Sequence, residues 1–501
     1  MIFPVMNEIK KSSRQLTLGE LLTGLDVAIP KDSCDIEISG LAGDSREVKP
    51  GDLFVAVPGY DSDGRKYIAE ASSLGAAAIL TSPGMDLHAN IPIVFSNNLR
   101  LDMSAAADRF HGSPSSKMKV AGITGTNGKT TTALLLTTIF EVSGEKWGRI
   151  GTIGCDIAGR HLPCRNTTPG SIDLHKLLAL MVEKKLTGCA MEVSSHALDQ
   201  NRTQNIHFSS ATFTNLSQDH LDYHRDMDSY FEVKAKLFAD VPVSVINIDD
   251  EYGRKLIDRI HGKIVTFSTE SDADLKYRCI DSDMQGSVLK FRHGGKDKSF
   301  RFPLPGWFNH QNAAAAAATA IGLGLTLDQA VEGLSQSTAI PGRLEPVDLG
   351  QPFAVYIDYA HTPNALERLL TSLRRFNPNR LHLVFGCGGD RDKKKRPLMG
   401  EIASDLADYV YLTSDNPRTE DPKAIIDDAL KGIAHRKKCT VIEERPQAIK
   451  TAISRATEHD IVVIAGKGHE EYQVIGTVKK YFSDIEVAKS VLRKLGYGDN
   501  G

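Results

Sequence analysis

The stretch VAGITGTNGKTTT, residues 120–132, decides the fold of the central part of this chain. An apolar run enters a glycine-rich turn and leaves into a helical pattern that extends to Val142, which is the strand, loop and helix order of a phosphate-binding site. Position 123 is Ile where the general GxxxxGK[ST] pattern has Gly, which favours a specialised GTNGKTT version. Lys129 is expected to reach the β- and γ-phosphates, and the Thr130 hydroxyl to bind Mg²⁺. The residues predicted to cradle the nucleotide phosphates are Gly125, Thr126, Asn127, Gly128, Lys129, Thr130 and Thr131.

Length and composition indicate an ordinary folded protein. With 501 residues the chain should hold about three domains, and 41% hydrophobic with 25% charged residues is typical of soluble proteins. A net charge of -3 provides no global field for nucleic acid or an anionic membrane, so we expect neither partner. The opening MIFPVMNEIKKSSRQ has no apolar core preceded by basic residues, and no later run reaches about 18 apolar residues, so a cytoplasmic location is expected.

The seven cysteines give no sign of a metal site. They form no CxxC pair and no close cluster with histidine, so neither zinc nor a disulfide framework is expected. We therefore expect reduced thiols.

Patterning predicts an α/β protein of three domains. Residues 1–117 mix turns with three short β-rich runs, at 52–57, 76–80 and 91–95, and indicate a small α/β domain. Residues 118–341 open with the phosphate loop, predict a P-loop ATPase-like domain with a mostly parallel sheet, and close with an Ala-rich helix from Ala313 to about Gly322. In residues 342–501 five apolar runs alternate with segments of helical period, which predicts a Rossmann-like parallel sheet. The predicted strands are residues 354–357, 381–385, 409–412, 440–442 and 461–464.

Four polar segments in the last domain each follow an apolar run: DYAH, GCGGDRDKKKR, SDNPR and GKGHEE. Ligands sit at the carboxyl ends of parallel strands, so these segments should share one edge and form one site. In the central domain NTTPGS, MEVSSHALDQNR and NLSQDHLDYH also follow apolar runs, and their carboxylates, imidazoles and hydroxyls suit hard-cation and phosphate chemistry. Taken singly, Glu192 and His220 could equally be satisfied core or rim residues, and Lys234 a surface lysine.

Nine ordered motifs resemble the Mur ligase family, ATP-dependent enzymes that add amino acids to the peptidoglycan precursor. They are GTNGKTT, EVSSHAL with QNR, NLSQDHLDYH, LPGWFNHQN, IPGRLEPV, DYAHTPNAL, GGDRDKKKRPLM, SDNPRTEDP and AGKGHEEYQ, and with GDSRE they cover residues 44–473. The resemblance implies transfer of the ATP γ-phosphate to a substrate carboxylate, followed by attack of an amine on the acyl phosphate. It also implies a monomer acting on small molecules, with ATP and Mg²⁺ as cofactors.

The resemblance assigns each domain a role: the precursor binds to the first, ATP to the second, and the incoming amino acid to the third. Lys129, Glu192, His220 and Lys234 would be catalytic, and Lys234 would be carbamylated and hold the metal together with Thr130, Glu192 and His220. Asn309 would lie near the base, Arg343 near phosphate and Asp358 near ribose. The implied precursor-binding residues are Ser45, Tyr60, Asp61, Ser62, Asn166, Thr167, Thr168, Ser194, Gln200 and Arg202, although the hydroxyls among them could instead cap helices.

DNPR is the motif of family members that add meso-diaminopimelate to UDP-N-acetylmuramoyl-L-alanyl-D-glutamate. Arg418 offers a planar fork for the distal carboxylate of that diamino diacid. An Asx-Pro turn with a solvated arginine is the alternative. The implied acceptor residues are Arg391, Asp415, Asn416, Pro417, Arg418, Gly466 and Glu470, with Glu470 facing the distal ammonium.

Two other functions stay open from the residues. One is a ligase of the same superfamily with a different acceptor, as in folylpolyglutamate synthesis or D-alanyl-D-alanine addition, which GDSRE and DNPR disfavour. The other is a nucleotide-binding regulatory or scaffolding protein without catalysis, which the combination of Lys129, Thr130, Glu192, His220 and Lys234 disfavours.

Overall fold

A computed structural model describes residues 16–59, 62–85, 87–221, 223–270 and 272–498. Residues 1–15, whose composition contributed to the expected cytoplasmic location, lie outside the described residues, as do Tyr60 and Asp61. Among the residues that are described, no helix has the length and apolar character required to span a bilayer.

The first sheet has five strands in the order β2-β7-β6-β5-β4, parallel except for β2, and a separate antiparallel pair joins β1 to β3. The three β runs predicted in this part of the chain are confirmed as β5, β6 and β7. The strands are β1 (Leu16–Thr17), β2 (Val27–Ala28), β3 (Glu37–Ile38), β4 (Gly40–Ala42), β5 (Asp52–Ala56), β6 (Ala78–Thr81) and β7 (Ile93–Ser96). The helices are α1 (Leu18–Leu22), α2 (Ile68–Ser73) and α3 (Leu99–Phe110), and short 3₁₀ turns cover Lys31–Ser33, Ser45–Glu47, Gly64–Tyr67 and Pro114–Lys117.

The second sheet has eleven strands in the order β11-β10-β9-β12-β8-β13-β14-β15-β16-β17-β18. Its strands are β8 (Lys119–Thr124), β9 (Trp147–Gly151), β10 (Gly154–Ile157), β11 (Arg160–Leu162), β12 (Gly188–Glu192), β13 (Ser210–Phe213), β14 (Val243–Asn247), β15 (Lys263–Ser268), β16 (Leu275–Asp283), β17 (Gly286–His293) and β18 (Lys296–Phe302). Its helices are α4 (Lys129–Val142), α5 (Ser171–Glu183), α6 (Ser195–Asp199), α7 (Met227–Ala235), α8 (Glu251–Ile257), α9 (Trp307–Gly322) and α10 (Leu327–Ser335), with a 3₁₀ turn at Lys236–Phe238. The seven strands from β9 to β16 along this order are parallel, and antiparallel hairpins extend both edges.

The predicted Ala-rich helix is confirmed as α9, which packs against α4 and the sheet. Its six consecutive alanines from Ala313 to Ala318 are fully buried, because small side chains let the helix backbone approach both neighbours closely. The helix begins at Trp307 rather than at Ala313. Gly306 takes a left-handed φ of 91°, and the Ser372 hydroxyl accepts the Trp307 N–H at 2.9 Å, so the helix start lies against the last domain.

The third sheet has six strands in the order β19-β20-β24-β21-β22-β23, and all but β19 are parallel. Its strands are β19 (Glu345–Pro346), β20 (Ala354–Asp358), β21 (Leu381–Phe385), β22 (Tyr409–Leu412), β23 (Cys439–Val441) and β24 (Ile461–Ala465), followed by the hairpin β25 (Tyr472–Ile475) and β26 (Val478–Tyr481). The helices are α11 (Pro363–Arg374), α12 (Lys395–Leu406), α13 (Pro422–Leu430), α14 (Arg445–Arg455) and α15 (Asp484–Lys494), with a 3₁₀ turn at Arg436–Lys438. All five predicted strands are confirmed, and with them the three-domain α/β fold.

One cysteine pair corrects the expectation of reduced thiols. A disulfide joins Cys155 in β10 to Cys164, whose Cα atoms lie 6.4 Å apart. The antiparallel β10–β11 hairpin sets Cys155 opposite Leu162, which brings the chain just beyond Leu162 back beside β10. The two cysteines are nine residues apart, a spacing that belongs to no cysteine motif, so the pairing could not be predicted from the sequence. Cys34, Cys189, Cys279, Cys387 and Cys439 are free thiols.

A buried ion pair joins the first residue of α14 to the first residue of α15. Arg445 donates two hydrogen bonds to the Asp484 carboxylate at 2.7 and 2.6 Å, and both side chains are fully buried. Removing one charge would leave the other buried without its partner. We expect Asp484→Asn to lower the free energy of unfolding by about 3–5 kcal/mol.

Denaturant titration followed by circular dichroism measures this loss. Asp272→Asn is the matched control, because Asp272 is 97% exposed and pairs with Lys276 only on the surface, so its substitution should leave the free energy of unfolding nearly unchanged. Equal effects of the two substitutions would contradict the structural role of the buried pair.

Candidate active site

The phosphate loop connects β8 to α4, as predicted. Gly125 and Gly128 have φ values of 144° and 89°, a region that favours glycine. A Cβ atom at Gly128 would overlap the Asn312 side-chain amide. The loop therefore needs glycine both for its turn and for the close approach of α9.

Lys129 and Thr130 start helix α4. The Lys129 ammonium donates to the Gly125 and Thr126 carbonyls at 2.9 and 3.0 Å, and burial lowers the pKa of Lys129. Thr130 donates to Glu192 Oε2 at 2.9 Å and accepts from Arg343 at 3.2 Å. Arg343 directly follows Pro341 and Gly342, which form the hinge into the last domain, so the phosphate loop and the third domain meet at Thr130.

Glu192 ends β12 and is fully buried beside the phosphate loop. Its carboxylate accepts from the Thr152 N–H at 2.8 Å and from the Thr152 hydroxyl at 3.0 Å, in addition to Thr130. These neutral donors hold the carboxylate in one orientation at the end of the sheet.

Lys234 lies in α7 with 1% of its surface exposed, so the alternative of a surface lysine is wrong. Its amine donates to the Gly125 carbonyl at 3.0 Å and lies 4.7 Å from the centre of the Tyr230 ring. Burial, followed by the positive charge of Lys129, holds the pKa of Lys234 well below its usual range. This environment favours the neutral amine over the ammonium beneath the phosphate loop.

His220 and Asp219 border the same region. His220 has a φ of 53°, its Nε2 lies 3.5 Å from Asp219 Oδ2, and burial lowers its pKa to about 4. The imidazole is therefore neutral at pH 7. Asp219 was not among the predicted site residues. Its negative charge raises the pKa of both Lys129 and Lys234, against the larger effect of burial.

A cavity of about 230 Å³ lies between the phosphate loop and the third domain. Arg343, Asp358 and His361 line it from the third domain. The Asp358 carboxylate accepts from the N–H groups of Leu344 and Ala360 at 2.7 and 2.8 Å, so it orders the hinge as well as facing the cavity.

Asn309 does not line this cavity. Its amide donates to the Pro305 carbonyl at 2.7 Å and its oxygen accepts from Asn312 at 3.1 Å, so it supports Asn312, which lines the cavity instead. Both asparagines stand in the NHQN segment three residues apart, and only their orientation on α9 separates them. Arg368 in α11 also lines the cavity and carried no sequence motif.

A larger cavity, about 610 Å³, lies between the first and second domains. Of the predicted precursor residues that the structure describes, Asn166 alone lines it. The residues that do not are Ser45, Ser62, Thr167, Thr168, Ser194, Gln200 and Arg202. Ser45 is buried in a 3₁₀ turn, and the Ser62 hydroxyl lies 3.2 Å from that of Tyr67. Basic side chains that the sequence analysis did not select line this cavity: Arg46, Lys49, Arg100, Arg165 and Lys176.

Four predicted precursor residues form one hydrogen-bonded group. Arg202 donates to the Thr168 carbonyl at 3.0 Å and to Gln200 Oε1 at 2.6 Å. The Thr168 hydroxyl accepts from the Ser194 N–H at 3.0 Å. Ser194 caps α6, so the helix-cap alternative holds for this hydroxyl. Thr167 is separate from the group: its hydroxyl contacts that of Thr152 at 3.0 Å, and it lines the smaller cavity.

The four polar segments of the third domain meet at one sheet edge, as predicted. Arg418 donates to the Gly389 carbonyl at 2.5 Å, Asn416 donates to Glu470 at 3.0 Å, and Lys395 donates to the His361 carbonyl at 3.1 Å. Arg418 is half-buried with a φ of 52°, which disfavours a freely solvated arginine. Arg391 lies in the same loop, and Arg391 and Glu420 line one surface pocket.

Two fully buried cations organise this edge, and the sequence analysis selected neither. Arg396 binds Glu420 at 2.8 Å and Asp428 at 3.1 Å, and Glu420 in turn accepts the Asp390 N–H at 2.6 Å. Hydrogen bonding to Arg396 lowers the pKa of Glu420 to about 2. Lys467, in GKGHEE, lies against the DNPR segment. In sequence both resemble ordinary surface charges.

The fold and site define a class of phosphate-loop enzyme in which a third α/β domain closes one side of the nucleotide cavity. The sequence matches the Mur ligase family catalytic domain over residues 37–109, the Mur ligase middle domain over 123–320, and the Mur ligase glutamate ligase domain over 342–468. The chain belongs to the Mur ligase family.

Similar proteins cover nearly the whole chain. The UDP-N-acetylmuramoyl-L-alanyl-D-glutamate--2,6-diaminopimelate ligase of Caldanaerobacter subterraneus subsp. tengcongensis is 42% identical over 95% of this chain and 99% of its own length. The ligase of the same name from Aquifex aeolicus is 43% identical over 91% of this chain and 94% of its own length. A solved structure of a ligase of that name superposes with a TM-score of 0.70 at 32% identity, covering 97% of this chain and 100% of the other.

Proposed function

We propose that this chain is the ATP-dependent ligase that adds meso-diaminopimelate to UDP-N-acetylmuramoyl-L-alanyl-D-glutamate in peptidoglycan precursor synthesis. The observation that carries the proposal is the Thr130 contact to both Glu192 and Arg343, because it sets the nucleotide loop directly against the domain that holds the DNPR and GKGHEE segments. Relatives of that name at 42–43% identity support the same substrate pair.

The proposed reaction has two steps. A carboxylate oxygen of the D-glutamyl residue attacks the γ-phosphorus of ATP, ADP leaves, and an acyl phosphate forms. The amine of diaminopimelate then attacks the carbonyl carbon, phosphate leaves, and the amine loses a proton as the amide forms. Lys129 and Arg343 would offset the phosphate charge, and alignment of the reactants would supply much of the remaining acceleration.

The residues present fit a magnesium ion. Thr130 and Glu192 present hard oxygen atoms 2.9 Å apart, and His220 and Lys234, whose pKa values are both lowered by burial, lie beside the same loop. Within the described ranges no cluster of three His, Cys, Asp or Glu side chains could hold a metal, so the set would depend on Thr130, Glu192, His220 and a carbamate on Lys234. When bound, magnesium would neutralise charge on the ATP phosphates.

Each domain takes one substrate in this proposal, with boundaries at residues 1–117, 118–341 and 342–501. The precursor lies in the larger cavity, where basic side chains such as Arg165 and Lys176 suit its diphosphate. ATP lies in the smaller cavity, and the amino acid lies at the edge that carries Arg418 and Glu470. We also propose that the chain acts on these small molecules as a cytoplasmic monomer, as the family resemblance implies.

Replacement of Lys234 by alanine is expected to lower kcat by about 10²-fold or more. The buried amine, whose lowered pKa favours the unprotonated form, can add CO₂ with release of a proton, and the resulting carbamate would provide an anionic oxygen beside the nucleotide. Carbon-13 NMR with labelled bicarbonate should give a carbamate signal in the wild type that is absent from the variant. Lys236→Ala is the control, since Lys236 lies two residues away and is exposed. An active enzyme whose Lys234 stays a free amine would contradict this role.

The proposed function is tested by ADP release with each substrate omitted in turn. A ligase should release ADP at its full rate only when ATP, magnesium, UDP-N-acetylmuramoyl-dipeptide and meso-diaminopimelate are all present. ADP release that ignores the precursor and the amino acid would favour the regulatory alternative.

A further inference from the structure

Lys467 is a fully buried lysine in the acceptor segment of the third domain. Lysine is almost never fully buried without partners. Its ammonium lies 3.0 Å from Asn416 Oδ1, 3.4 Å from Asp415 Oδ1 and 3.5 Å from Glu470 Oε2. These three partners are all among the residues proposed above to hold the incoming amino acid.

Asn416 links Lys467 to Glu470 a second time. Its Oδ1 accepts from Lys467 and from the Val474 N–H at 2.9 Å, while its Nδ2 donates to Glu470 Oε2 at 3.0 Å. The polar atoms of the Asn416 side chain are thus engaged inside the protein. Asn416 therefore acts on the acceptor through Glu470 in this arrangement.

Charge explains why a cation is required at this position. Asp415 and Glu470 are two carboxylates held close to one ammonium, and buried carboxylates need a compensating positive charge. The other two buried cations of this domain have their own partners: Arg396 binds Glu420 and Asp428, and Arg445 donates two hydrogen bonds to Asp484. Among the ion pairs of the described residues, Lys467 is therefore the cation that directly contacts both Asp415 and Glu470.

We propose that Lys467 is a positioning residue that sets acceptor specificity by holding Glu470 and Asn416 in place. It fixes the Glu470 carboxylate where the distal ammonium of a diamino diacid would bind, so the carboxylate need not be ordered during binding. The arrangement favours an acceptor whose side chain ends in both an ammonium and a carboxylate. This inference rests on the proposed function and deepens it.

The test compares two acceptors that differ only at the distal amine. meso-Diaminopimelate carries it, whereas L-2-aminopimelate keeps both carboxylates and lacks it. We expect Lys467→Met to lower the ratio of kcat/KM for meso-diaminopimelate to kcat/KM for L-2-aminopimelate about tenfold, mainly through KM. The KM for ATP should be unchanged, and Lys467→Arg should restore the ratio to within about threefold.

A double-mutant cycle separates positioning from a general structural effect. In a Glu470→Gln background, Lys467→Met should cause no further fall in the ratio, because its effect passes through Glu470. Lys480→Met, in the exposed strand β26, is the matched control and should leave the ratio unchanged. A Lys467→Met enzyme that loses activity equally with both acceptors would overturn the inference.

Two further outcomes stay distinguishable. If thermal melts show that Lys467→Met is unfolded, Lys467→Gln carries the same expectation, because it lacks the charge and keeps a donor for Asn416. A wild type that does not use meso-diaminopimelate at all would refute the proposed function. A wild type that prefers meso-diaminopimelate, with folded Lys467 variants that keep the wild-type ratio, would refute this inference alone.

Discussion

Replacement of Lys129 by alanine is expected to lower kcat by about 10³-fold, one of the two largest effects in this protein. The ammonium lies at the start of α4 against the Gly125 and Thr126 carbonyls, where the helix dipole and loop N–H groups also favour an anion. In phosphoryl transfer, positioning and charge stabilisation supply nearly all of the catalysis. Loss of one electrostatic contact to the transition state typically lowers kcat by about 10²–10³-fold. In the proposed reaction Lys129 contacts the phosphoryl group that is transferred.

Steady-state ADP release with all substrates present measures this effect. Lys119→Ala is the matched control, because Lys119 begins the same β8–loop–α4 unit and its ammonium pairs with Glu145 at the surface. The control should keep most of the wild-type rate. A Lys129→Ala enzyme that retains more than a tenth of the wild-type kcat would show that the loop lysine is not the principal phosphate contact.

Replacement of Arg418 by alanine is expected to lower kcat/KM for meso-diaminopimelate by about 30- to 5000-fold, the effect of removing one partner of a desolvated charge pair. The Arg418 backbone is fixed on both sides: its N–H donates to the Val474 carbonyl at 3.0 Å, and its carbonyl accepts from the Gly476 N–H at 2.7 Å. Its left-handed φ therefore orients a planar fork into the acceptor edge at a defined angle.

Arg418→Lys distinguishes shape from charge. Lysine keeps the positive charge and loses the bidentate geometry, so we expect it to recover only part of the lost kcat/KM. The KM for ATP should stay within about threefold of the wild type in both variants. Arg436→Ala, at an exposed position of the same domain, is the control. Full activity of Arg418→Ala with meso-diaminopimelate would refute its contact with the distal carboxylate.

Local signals in the sequence predicted the elements and the edge at which the site forms. The phosphate loop, the five strands of the third sheet and the shared edge of its polar segments follow from apolar runs, glycine turns and parallel topology. The order of strands does not follow from such signals. β24 lies between β20 and β21, which is decided by long-range packing of helices on both faces of the sheet.

Residues whose role depends on burial could not be found from the sequence. Lys467, Arg396 and Arg445 read as ordinary surface charges, and only the folded chain reveals that each is fully buried with carboxylate partners. Asn312 and Asn309 share one motif, and the rotation of α9 decides which of them faces the nucleotide cavity. The Cys155–Cys164 disulfide likewise depends on a hairpin register.

The most direct test of the central claim is the mass of the product formed by the purified wild-type chain. The enzyme would be incubated with ATP, magnesium and UDP-N-acetylmuramoyl-L-alanyl-D-glutamate, together with equal concentrations of meso-diaminopimelate and L-lysine. The account predicts a single new species with the mass of the precursor plus diaminopimelate less one water, formed in step with ADP. A product carrying lysine, or ADP release with no new amide, would contradict it.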